Sequence, residues 1–120
     1  MASILVHVTQ GPENPTRAAL AFLVARTALE GGHQVSVFVA GDGVELLREG
    51  VLNSLAGVGT GKLREHFDAI VAAGGRFYVS GLSAKARGMG EGELAGRPAE
   101  FAMPKKLLEL SLSHERMFCY

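Results

Sequence analysis

The chain has 120 residues, in which twelve Lys and Arg balance twelve Asp and Glu, hydrophobic residues make up 48%, and there are sixteen glycines and one cysteine. That length suits one domain, residues 1–120, and is short for two. Cancelling charge excludes the standing positive field that holds proteins on nucleic acid or an anionic membrane. The lone thiol excludes an internal disulfide, and no apolar run nears the roughly 18 residues of a membrane span.

Met1-Ala2-Ser3-Ile4 lacks the basic region and apolar stretch of a secretion signal, so the expected compartment is the cytoplasm. Ile4–Val8 is a short aliphatic run that reads as a strand covered on both faces. In the loop TQGPENP, residues 9–15, Asn14 can cap free amides and Pro15 suits a first helical position. The helix that follows carries Leu20, Leu23, Val24 and Ala28, flanked by Phe22 and Leu29, and stops at Gly31-Gly32. Val35–Val39 is a second strand, which makes a parallel βαβ unit with a right-handed crossover.

Gly41-Asp42-Gly43 closes that strand, with a short helix over 44–48 and an aperiodic, glycine-rich loop over 49–61. Thr60 is the expected cap of a helix from Gly61 to Ala73, with Leu63, Phe67, Ile70 and Val71 on one face and Gly74 as terminator. Phe77–Val79 is a third strand, and Ser83 is the expected cap of a short helix through Arg87. Residues 88–103 read as a mobile rim with little packing, containing a further candidate strand near 100–103. Pro104 opens a last helix with Leu107, Leu108, Leu110 and Leu112, and Met117–Cys119 is a terminal strand. The alternation predicts an α/β fold: a three-layer α/β/α sandwich with a mostly parallel sheet of about five strands.

In open parallel sheets ligands bind beyond the carboxyl ends of the strands, which points to the loops at 9–15, 41–43 and 80–83. AGVGTGK, residues 56–62, is not a phosphate loop: three residues separate Gly57 from Gly61 where four are needed, and Leu63 replaces the metal-binding hydroxyl. GLSAK, residues 81–85, begins like a nucleophile elbow, but Lys85 stands where the second glycine belongs. His7, His33, His66 and His114 lack metal-ligand spacing and read as core or boundary histidines, with His7 the one nearest a strand's carboxyl end. Cys119, in an apolar strand, reads as a small buried hydrophobe.

GPENPTRAALAF (residues 11–22), FVAGDGV (38–44), AGVGTGKLREH (56–66) and above all YVSGLSAKARGM (78–89) together resemble the DsrE-like sulfur-relay family, in order from about Ile4 to Phe118. The resemblance implies a compact α/β/α domain that forms homo-oligomers, as trimers or hexamers. It also implies persulfide sulfur passed between proteins, so other sulfur-relay proteins are expected partners. Family members use an acceptor cysteine at the end of the third strand, and this chain places Ser80 there.

Three functions follow. The first is a non-carrier, ligand-binding or relay-associated oligomer with a pocket at a subunit boundary, framed by Thr9, Gly11, Glu13, Asn14, Asp42, Gly43, Ser80, Gly81, Ser83 and Arg87. The second is a persulfide carrier or redox protein using Cys119, with Arg87 or His7 supplying positive charge. The third is an enzyme acting on a small anion or nucleotide through Asp42, Glu13 and Ser83. None of the three calls for a metal or cofactor.

Overall fold

The computed structural model describes residues 1–120. Its first half contains β1 (Ser3–Val8), α1 (Pro15–Glu30), β2 (Gln34–Val39), a 3-10 turn over Gly41–Leu47 and α2 (Glu49–Ser54), then a small hairpin of β3 (Ala56–Gly57) and β4 (Gly61–Lys62). The second half contains α3 (Leu63–Ala72), β5 (Arg76–Ser80), α4 (Gly81–Ala86), β6 (Ala99–Ala102), α5 (Pro104–Ser113) and β7 (Arg116–Cys119). Asn14 caps α1 by accepting from the Arg17 amide at 3.4 Å, and Gly32 and Gly74, at φ +85° and +88°, turn the chain out of α1 and α3.

Five strands form one sheet in the order β6-β5-β2-β1-β7, and every pairing in it is parallel. Parallel crossovers are right-handed, so the direction of travel across the sheet fixes the face each helix covers. From β1 to β2 to β5 to β6 the chain moves one way, and α1, α3 and α4 fall on one face. It then returns across the whole sheet to β7, so α5 falls on the other face. The architecture is the predicted α/β/α sandwich, but its outer layers are unequal. The first face holds a core cluster of 24 buried residues, including Val6, Val37, Phe77 and Val79 from the strands and Phe22, Phe67 and Ile70 from the helices. The second holds a cluster of four, Leu5, Phe38, Tyr78 and Leu110.

Several local expectations are corrected. The buried face of α1 is Ala18, Ala19, Ala21, Phe22 and Ala25, while Leu20, Leu23, Val24, Ala28 and Leu29 are only half-buried, because the small side chains let the helix sit close to the sheet. The stretch 49–61 is not a loop but α2 and most of the β3–β4 hairpin. Thr60 does not cap α3: its hydroxyl donates to the Thr16 carbonyl at 3.1 Å, its own carbonyl lies 2.7 Å from His66 Nε2, and Lys62 takes the cap position without a side-chain bond.

The segment 88–103 is a pinned surface rather than a mobile rim. Met89 and Leu94 are buried, and Arg48 donates to Glu93 at 2.9 Å and to the Arg87 carbonyl at 2.6 Å. Arg97 adds bonds to the Leu47 carbonyl and to the Glu49 carboxylate. β7 is an exposed edge strand, so Cys119 is exposed and not a buried hydrophobe. No helix is long and apolar enough to cross a membrane.

Candidate functional site at the carboxyl edge

Because β1, β2 and β5 are parallel neighbours, the loops after them emerge along a single edge of the sheet, so Asn14, Asp42 and Ser80 share that edge. The loops touch backbone to backbone. A Cβ on Gly11 would collide with the Asp42 carbonyl, and one on Gly43 with the Val8 carbonyl, so both positions require glycine for close approach.

Polar side chains then lace the loops together. The Gly11 amide donates to both carboxylate oxygens of Glu13, at 2.9 and 3.0 Å. The Gly41 amide donates to Ser83 Oγ at 2.9 Å, and Arg87 pairs with Asp42 at 2.8 Å while also donating to the Ser83 carbonyl at 3.1 Å. Ser83 is therefore a brace between loops, and the cap of α4 is Ser80, whose Oγ accepts from the Ser83 amide at 3.2 Å. Thr9 ties the edge to the last strand, donating through its amide and its hydroxyl to the Tyr120 carbonyl at 2.8 and 3.0 Å.

This lacing engages Glu13, one carboxylate oxygen of Asp42 and the Ser83 hydroxyl inside the protein, and Asn14 is used as the cap of α1. The open space on this edge lies just beside the lacing. A hollow of about 520 Å³ is lined by Gly81, Ala84, Lys85, Met89 and Phe101 among others. Of the ten residues expected to frame the pocket, Gly81 alone lines it, joined by Lys85, while Arg87 is turned to Asp42.

A second juxtaposition has no signal in the linear sequence. The strand order reverses between β1 and β7, where open parallel sheets tend to place ligands, and there His7 and Cys119 are register partners on adjacent parallel strands. Equal register gives equal side-chain direction, so both residues stand on the α5 face. Burial lowers the His7 pKa from the ordinary 6.5, and its Nε2 is buried without a hydrogen-bond partner, so the ring is held uncharged beside the edge of Phe38, at 5.9 Å between centroids. A neutral His7 does not supply the positive charge expected of it. Arg87 does not supply it either, since it is bound to Asp42.

A right-handed, all-parallel sandwich with cross-laced loops on its carboxyl edge defines a class of α/β domain whose sites sit on that edge. The DsrE/DsrF-like family model matches residues 2–118, and the chain belongs to that family. Two solved structures share the fold over 100% of both chains at 14% identity: the ychN protein from E. coli, at a TM-score of 0.81, and MTH1491 from Methanobacterium thermoautotrophicum, a protein of unknown function, at 0.76. No curated protein sequence matches the chain.

Proposed function

We propose that the chain is a non-carrier member of its family: a cytoplasmic module, assembled from several copies of itself, that binds a small ligand at the carboxyl edge and does not hold sulfur at position 80. One observation carries this reading. Ser80, at the position where the resemblance puts an acceptor cysteine, is only 8% exposed and its hydroxyl is engaged as the cap of α4. A hydroxyl lacks the acidity and polarisability with which a thiolate takes up sulfane sulfur. The retained loop framework and the hollow beside α4 favour binding instead. The walls Ala84, Met89 and Phe101, with the single cation Lys85, suit a ligand with an apolar body and one negative group.

The test is sulfur loading. The protein is incubated with a cysteine desulfurase and cysteine and weighed intact. The non-carrier reading expects no gain of mass; a gain of one sulfur atom overturns it. Light scattering tests the assembly, and a species that is monomeric at every concentration contradicts it.

A second reading is favoured by a separate observation, the exposure of Cys119 beside the uncharged His7. In that reading the Cys119 thiol loses its proton to water, the thiolate attacks the outer sulfur of a donor persulfide, and the donor thiolate leaves. A gain of one sulfur atom that disappears in Cys119→Ala would establish it.

A further inference from the structure

The opposite, amino edge of the sheet carries an arrangement that the family site does not use. We propose that Ser36 and His114 form a nucleophile and general-base pair acting on small carboxylic esters.

Ser36 lies on β2, facing α5, and His114 is the residue that ends α5. His114 Nε2 is 3.1 Å from Ser36 Oγ, and its Nδ1 is 2.7 Å from the Leu110 carbonyl oxygen. A carbonyl only accepts, so Nδ1 carries the proton of the neutral ring, and Nε2 presents its lone pair to the serine hydroxyl. That is the tautomer a general base needs. The Leu110 carbonyl fills the orienting role that a carboxylate takes in a serine triad.

Ser36 is only 9% exposed, and the pair meets solvent through a hollow. Ser36 and His114 line a hollow of about 410 Å³ together with His33, Arg76 and Tyr78, a size within the usual range of small-molecule sites. Arg76 is the register partner of Ser36 on the adjacent strand, so its side chain leaves the sheet on the same face. Its ion pair with Glu100 is loose, at 3.6 Å, and both side chains are more than half exposed, which leaves guanidinium N–H groups available to a developing oxyanion or to a carboxylate on the substrate.

The reaction balances without another reagent. Ser36 Oγ bonds to the acyl carbon as its proton passes to Nε2, and the bond from that carbon to the alcohol oxygen breaks as the alcohol leaves with the proton. Water then attacks the acylated Ser36 and gives one proton to Nε2. The carbon–Oγ bond breaks, Oγ recovers the proton, and the carboxylic acid departs.

The test uses 4-nitrophenyl acetate on a Cys119→Ala background, so that the exposed thiol does not contribute. The expected result is nitrophenol release together with an acetyl group located on Ser36 by peptide mass. Ser36→Ala loses that adduct, and His114→Gln slows release by about 100-fold or more. Because His114 also ends α5, each variant is checked for cooperative melting, and Ser36→Ala, which removes one oxygen from a strand residue, decides the matter if His114→Gln unfolds. Acetylation found only at other residues, or release unchanged in folded Ser36→Ala, overturns the proposal whatever the outcome of sulfur loading.

Discussion

The two faces of the sheet are built from the same strands and differ in almost everything else. On the face under α1, α3 and α4, the inward residues are aliphatic or aromatic and Phe77 is packed between Phe22 and Phe67, at 5.8 and 5.0 Å between ring centroids. On the face under α5 alone, the same strands present His7, Ser36 and Tyr78, and Met117 and Cys119 on β7 remain exposed. The asymmetry follows from topology: three crossovers run one way and one runs back. One face supplies the dry core, and the thinly covered one carries polar side chains, of which Ser36 and His7 Nε2 are buried while His114 is half-buried and Cys119 exposed. Both the Ser36–His114 pair and the His7–Cys119 pair stand on it.

The comparison breaks if truncation costs the same on either face. Phe77→Ala, which empties the middle of an aromatic stack on the thick face, is expected to cost about 3–5 kcal/mol, and Leu110→Ala, on the single helix of the thin face, about 2 kcal/mol. Denaturant melts of both variants measure the difference; equal losses would mean that the thin face is as much a core as the thick one. Next in size, Gly11→Ala drives a methyl into the Asp42 carbonyl and is expected to cost about 1–3 kcal/mol by forcing the two loops apart. A stability unchanged in that variant would show that the loops do not need their close approach.

The smallest effect concerns His7. Its folded pKa lies below the ordinary 6.5, so between those two values the unfolded chain binds the proton that the folded one refuses. The stability tied to a neutral His7 is therefore present above pH 6.5 and is lost as the pH falls through the folded value. His7→Gln should flatten the loss of stability between neutral and mildly acid pH, as read by melts at each pH. An acid slope identical to that of the parent would place the titration elsewhere.

Much of the fold was legible in the chain because its signals are local. The Asn14-Pro15 start, the Gly31-Gly32 stop and the β-branched runs at 35–39 and 77–79 each act within a few residues, and the right-handed rule turns their alternation into a parallel sheet. The misreadings came where distant residues decide. The 88–103 segment looked mobile because nothing within it shows that Arg48, some forty residues earlier, fastens it. Cys119 looked buried because an apolar strand at a sheet edge reads the same as one in the middle.

The candidate site was legible in the same uneven way. Parallel strands bring the three loops to a common edge whatever their sequence. Which hydroxyl braces and which one caps depended on crossing contacts: Ser83 reaches Gly41, and Ser80 is left to hold α4. Neither the His7–Cys119 nor the Ser36–His114 pairing has a spacing to betray it, since each joins residues far apart in the chain.

Sulfur loading tests the central claim most directly, with Ser80→Cys beside the parent protein. If the carboxyl edge has kept the family's geometry and lost only the acceptor atom, the parent emerges at unchanged mass and Ser80→Cys gains one sulfur atom on the introduced thiol. A parent that takes up sulfur by itself, or a folded Ser80→Cys that takes up none, would contradict the account.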